Sequence, residues 1–180
     1  MPKINKTKFA ILGLLSLKPA SGYDLKKTVD WNIGFFWNEN FGHIYPILKR
    51  LEKDGLVKKL TRQSGNYHAK NVYTLTPIGK REFLNWLRES PEEPPVRNEM
   101  LLKLFFGRQN DRHEVESMIS AERKRNEELL KIYDEVAKKI SAFKSDDFPY
   151  WDYTLKFGIR KSEMVISWCN ETLGLLKELK

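Results

Sequence analysis

Gly42-His43-Ile44-Tyr45-Pro46-Ile47-Leu48-Lys49-Arg50-Leu51-Glu52-Lys53-Asp54-Gly55-Leu56-Val57 is the stretch from which the fold is read. Ile44, Ile47, Leu48 and Leu51 recur at helical spacing and predict a helix with an inward apolar stripe. Asn38 or Asn40 can cap its start, and Gly55 closes it as the residue after the last turn. Pro46 conflicts with a helix interior because proline removes a backbone donor and crowds the preceding turn. Either the helix starts late or it bends there. With the apolar positions assigned inward, Asn40, Gly42, His43, Tyr45, Lys49 and Lys53 are left facing outward. They combine amide, imidazole, phenol and ammonium donors with a glycine that permits close approach.

Working outward, Phe9, Leu12, Gly13, Leu15 and Ser16 fall in a first helix that is apolar nearly all round and ends at Lys18-Pro19. Ser21-Gly22-Tyr23-Asp24 has the spacing of a capping box and opens a second helix through about Val29, followed by an aromatic linker from Trp31 to Trp37. Leu56 to Arg62 and Val72 to Leu75 are β-prone runs joined by the turn residues Gln63-Ser64-Gly65-Asn66-Tyr67, which predicts a hairpin. Thr76-Pro77 then opens a fourth helix through Phe83, Trp86 and Leu87 to about Arg88. Helix, helix, helix, hairpin, helix is the order of a winged helix, and its third helix is the one that enters the major groove. Arg62, His68 and Lys70, with Asn66 and Tyr67, crowd the hairpin tip, where a wing either reaches phosphates or is simply solvated.

The charge distribution agrees. Residues 1 to 88 carry 16 basic and 6 acidic side chains, whereas residues 89 to 180 carry 16 and 18. A cationic half followed by a nearly neutral one is expected if only the first half meets a polyanion.

Glu89 to Pro95 holds three prolines and three glutamates and reads as a boundary, giving a winged-helix domain over 1–90 and a helical dimerisation domain over 96–180. The fold class is therefore mainly α with a small β-hairpin. Met100 to Phe106 is strongly apolar and is expected to be buried. Asp111 to Phe143 predicts a long amphipathic helix with a seam of Leu129, Tyr133, Val136, Ile140 and Phe143, extrapolated back through Asn126, Glu122, Ile119 and Val115. The polar pair in that seam either fixes register or marks a solvent-exposed turn. Asp146-Asp147-Phe148-Pro149 is expected to break the chain before a last helix from about Tyr153 to Leu179. One apolar row of that helix holds Leu155, Ile159, Ile166, Cys169, Leu173 and Leu176, and the other holds Val165, Trp168, Leu175 and Leu179. Two rows are more than one neighbouring helix covers, which predicts a homodimer.

No apolar run of 18 residues and no cleavable leader is visible, which predicts a cytoplasmic protein. A lone cysteine, Cys169, and three histidines make no metal pattern, so no metal or cofactor is expected. No nucleophile with a base and no phosphate-cradling loop is present, and His113 with Glu114 and Glu116 is a polar helix start, so no enzyme is predicted. The alternative is a winged helix that binds protein or RNA instead of an operator. A duplex-binding assay separates the two.

The quoted stretch, with its unusual Tyr45-Pro46 pair, closely resembles the recognition helix of the PadR family of transcriptional regulators. Three further blocks agree: Ala10 to Leu15 with Ser21-Gly22-Tyr23-Asp24-Leu25, Tyr73 to Lys80, and Leu101 to Phe106. The two-helix second half resembles the virulence-activator branch. The resemblance implies a homodimer that binds double-stranded DNA at an inverted repeat, often near its own promoter; a repressor is expected, with activation left open by the sequence. It implies backbone contacts from Tyr45, from the basic residues Lys49, Arg50 and Lys53, and from the wing residues Arg62, Tyr67, His68 and Lys70. Asn66-Tyr67-His68-Ala69-Lys70-Asn71 departs from the Gly-Arg-x-Arg/Lys stretch found in many wings of the family. Some relatives respond to small planar aromatics or phenolic acids, so Trp86, Trp151 and Trp168 either line an effector pocket or simply pack.

Overall fold

The computed structural model describes residues 6–34, 36–37, 44–64, 67–93, 97–142 and 144–178, with the backbone alone for 30–32, 62–64 and 67–70. It forms two compact units, residues 1–93 and 94–180.

In the first unit, α1 (Thr7–Leu17), α2 (Gly22–Asn32), α3 (Ile44–Lys53) and α4 (Pro77–Trp86) surround a three-stranded antiparallel sheet in the order β1 (Ala20–Ser21), β3 (Tyr67–Leu75), β2 (Val57–Ser64). Local sequence sets most of the boundaries. The Ser21 hydroxyl accepts from the Asp24 backbone N–H at 3.2 Å while the Ser21 N–H donates to the Asp24 carboxylate at 3.3 Å, closing the expected capping box. Gly55 has φ +69°, the Gly55 N–H donates to Glu52 O at 3.0 Å, and the Leu56 N–H donates to Leu51 O at 2.9 Å, so α3 ends in a Schellman motif. The Thr76 hydroxyl caps α4 by accepting from Gly79 N–H and also donates to the Gly55 and Leu56 carbonyls, tying the hairpin base to the helix start. Ile11, Leu12, Leu25, Val29, Ile44, Leu48 and Leu51 fill the core. Each is worth roughly 1.5–3 kcal/mol of burial.

Three features differ from the sequence expectation. The second helix runs on through Asn32, so Trp31 is helical and not part of a linker. The hairpin strands are longer than their apolar runs: Arg62 pairs with Lys70, Thr61 with Asn71 and, beyond a register shift, Ser64 with Tyr67. β1 was not foreseen; Ala20 pairs with Tyr73 and Ser21 with Val72.

In the second unit, Asn98 caps α5 (Glu99–Phe105), Asp111 caps α6 (Arg112–Ser141), and α7 spans Phe148–Glu178. The last helix therefore opens at Phe148 and not near Tyr153, because Pro149 sits in the first turn, where its missing N–H costs nothing. α6 and α7 run antiparallel: Tyr133 lies against Gly158, and Arg123 Nη1 donates to Asn170 Oδ1 at 3.0 Å. Val115, Ile119, Asn126, Tyr133 and Val136 on α6, with Leu155, Gly158, Ser162 and Cys169 on α7, form the buried seam. Asn126 is thus not on a solvent-exposed turn. Its amide donates to both the backbone carbonyl and the carboxylate of Glu122, at 2.9 and 3.0 Å.

Met100 to Phe106 is not buried as expected. Leu101, Leu102, Phe105 and Phe106 are exposed, Phe105 at 82%, and the last two rings meet edge-to-face at 5.1 Å. Apolar composition says that a segment seeks cover, but not that the cover lies in the same chain.

Candidate nucleic-acid interface

α3 is amphipathic in the sense a recognition helix requires. Ile44, Leu48 and Leu51 are buried against α2 and the sheet, Ile47 packs at the edge of that core, and Tyr45, Pro46, Lys49, Arg50 and Lys53 are exposed. Pro46 stands in α3, which is described from Ile44 onward, and the residues that would decide between a late start and a bend lie outside the described residues. Arg50 Nε stands 3.8 Å from Asp54 Oδ2, an exposed pair too weak to withhold the guanidinium from a phosphate. Tyr45 is 60% exposed, yet one side of its ring rests on the start of α2: a Cβ built on Gly22 would lie 2.6 Å from Tyr45 Cε1. Beneath this surface, Tyr73 is buried, and its phenol is pushed above the ordinary tyrosine range by burial first, then by Glu52 and by Tyr45.

In the hairpin, Arg62 and Lys70 are cross-strand partners, and a register shift separates them from the Ser64–Tyr67 pair. The backbone therefore carries two cationic residues side by side toward the wing end. Their side chains, with those of Tyr67 and His68, lie outside the described residues, as do Asn40, Gly42 and His43 altogether. Exposed Lys58 and Lys59 on β2 and Lys26 and Lys27 on α2 add cations that the sequence pattern had not singled out, since nothing in their spacing separates them from ordinary solvated lysines.

Of the residues expected at a dimer seam, Tyr133, Val136 and Cys169 are already buried between α6 and α7 of one chain, and they offer a partner little surface. Leu129, Ile140, Ile166, Trp168, Leu173 and Leu176 are half-buried, and Phe143 lies outside the described residues. A different apolar row is open on α7, comprising Tyr150, Tyr153, Phe157 and Met164. Sequence reasoning missed it because Gly158 and Ser162, being small, were not counted toward the inner face.

Trp86 stacks on Phe9 with centroids 4.6 Å apart and planes 5° from parallel, and it also approaches Phe83 at 6.1 Å, so it packs in the first unit's core. Trp151 and Trp168 are half-buried in the second unit. A cleft of about 310 Å³ between the end of α6 and the start of α7 is lined by Ala137, Lys138, Ile140, Ser141, Phe148 and Asp152, and by none of the three tryptophans. Among the described residues no cluster of His, Cys, Asp and Glu could hold a metal, and no helix is long and apolar enough to cross a membrane.

Residues 11–85 match the Transcriptional regulator PadR-like family and residues 96–177 match Virulence activator alpha C-term. The Negative transcriptional regulator PadR of Bacillus subtilis is 31% identical over 94% of this chain and 96% of its own. Its crystal structure in complex with operator DNA superposes with a TM-score of 0.82 at 30% identity, covering 94% of this chain and 98% of that one. Its crystal structure in complex with p-coumaric acid matches at a TM-score of 0.76, 30% identity and the same coverage.

Proposed function

Because the chain belongs to the PadR family of transcriptional regulators, we propose that it is a homodimeric repressor that binds an inverted-repeat operator through α3 and the hairpin of each subunit. The observation that carries this is the full-length similarity to a regulator whose structure holds operator DNA, together with a recognition helix that turns Tyr45, Lys49, Arg50 and Lys53 to solvent. Phosphate contacts by these residues set affinity and orientation, while base reading falls to the helix start, where Asn40 and His43 stand in the sequence. The protein acts by binding rather than catalysis, in the cytoplasm, where its DNA is.

The second copy is called for by surface. Leu101, Leu102 and Phe105 on α5, and Tyr150, Tyr153, Phe157 and Met164 on α7, are exposed apolar side chains grouped on two helices, the kind of surface that a partner covers. A twofold partner covers both rows and sets the spacing of the two α3 helices on the duplex.

The relative bound to p-coumaric acid supports a planar aromatic acid as the effector that releases DNA. The test is a duplex shift assay with a salt series, repeated with p-coumaric acid. Affinity that falls steeply with salt and weakens on adding the acid supports both parts. Salt-insensitive or absent duplex binding rejects the operator reading, and an unchanged shift rejects this effector class.

A further inference from the structure

We propose that Gly22 is the positioning residue for Tyr45 and thereby tunes operator affinity without touching DNA. The inference rests on the reading above that Tyr45 contacts the DNA backbone.

Gly22 is buried as the first residue of α2, and nothing in its backbone calls for glycine: among the described residues the only positive-φ glycine is Gly55. A helix's first turn accepts alanine, which has the higher helix propensity of the two. What a side chain would meet first is one ring. The three heavy atoms nearest a Cβ at Gly22 are Tyr45 Cε1 at 2.6 Å and Cδ1 and Cζ at 3.2 Å each. Carbon atoms rest about 3.5–4.0 Å apart, so a methyl group there displaces the ring by on the order of 1 Å.

The displacement falls on the ring and not on the fold. Tyr45 is 60% exposed and free to swing outward, whereas its neighbours in α3, Ile44 and Leu48, are fully buried and hold the helix axis in place. A hydroxyl-to-phosphate bond tolerates only about 0.5 Å of spread in length, so a shift of this size breaks or bends it. Gly79 supplies the contrast, because a methyl there meets the backbone carbonyl of Leu56, which cannot move aside.

The experiment uses the full-length chain and the duplex that the wild type enriches from a randomised pool. Gly22→Ala, Tyr45→Ala and the double variant are compared in affinity and melting temperature. Gly22→Ala is expected to melt at or above the wild type and to bind about tenfold more weakly. In the Tyr45→Ala background, the same change is expected to alter affinity less than about twofold. Wild-type affinity in Gly22→Ala, with Tyr45→Ala weakened, overturns the positioning role alone. So does a loss of the same size in both backgrounds, or a melting temperature well below wild type, which makes the glycine a requirement of the fold. Tyr45→Ala binding like wild type removes the underlying contact and this inference with it.

Discussion

The indole of Trp86 lies flat on the ring of Phe9, 4.6 Å between centroids, joining the last turn of α4 to α1. Phe83 approaches the same indole at 6.1 Å, so the three rings form one cluster where α4 meets α1. Trp86→Ala is therefore expected to destabilise the protein by about 2 kcal/mol, less than a fully buried tryptophan costs because one edge is wet. Denaturant titration measures this. An effector response that vanishes while stability stays unchanged would instead make Trp86 part of a pocket.

Gly79 faces the carbonyl of Leu56 so closely that no Cβ fits between them. Gly79→Ala is expected to push α4 off the hairpin base and cost about 3 kcal/mol, read as a lowered melting temperature. A variant as stable as wild type would contradict the close approach.

Phe105 and Leu102 are exposed in the single chain, so a charge there costs the isolated fold little. Leu102→Asp and Phe105→Asp are expected to leave helicity intact, convert the dimer to monomer in sedimentation, and lower operator affinity on the order of 100-fold as the two heads cease to act together. Variants that remain dimeric would move the interface elsewhere.

Asn126 places a buried amide in the α6–α7 seam, satisfied by Glu122 alone among its described partners. Asn126→Leu is expected to stabilise the fold by about 1 kcal/mol, read as a higher denaturation midpoint, since Glu122 keeps its pairing with Arg125. A lower midpoint would mean that the amide holds register.

Burial pushes the Cys169 thiol above its ordinary value, with Glu122 adding to the rise and Arg123 opposing it. Tyr133 is raised by burial and partly lowered by its hydrogen bond with Ser162, and Tyr73 is raised as described above. Each folded-state value lies above the unfolded one. The stabilisation is therefore whole below about pH 8.5 and is lost as pH rises through the folded values. Unfolding titrations should show stability falling on the alkaline side, with a shallower fall in Tyr133→Phe. Cys169, fully buried, should resist alkylation until the chain unfolds.

The elements legible in the sequence are those set by contacts a few residues apart. The Ser21–Asp24 box, the Gly55 terminus and the Thr76-Pro77 start each depend on groups within one turn, and residue type alone reveals them. β1 escaped because Ala20 and Ser21 pair with residues some fifty positions away, and two residues show no alternation. The polar stretch from Tyr67 to Asn71 is strand because its partner is strand, not through its own propensity. Gly158 and Ser162 belong to the α6–α7 seam because Tyr133 fills the space they leave, a complementarity that counting apolar residues on one helix does not reveal. In the interface, Tyr45, Lys49 and Lys53 could be assigned outward once the core stripe was known, whereas the support of Tyr45 by Gly22 needed the packing of α3 on α2.

Selection from a randomised duplex pool by the full-length chain tests the central claim most directly. A homodimeric reader is predicted to enrich an inverted repeat whose half-sites stand about one helical turn, or a multiple of it, apart, and to lose affinity log-linearly with salt. Enrichment of no repeat, with equal binding to every duplex, would contradict operator recognition by α3.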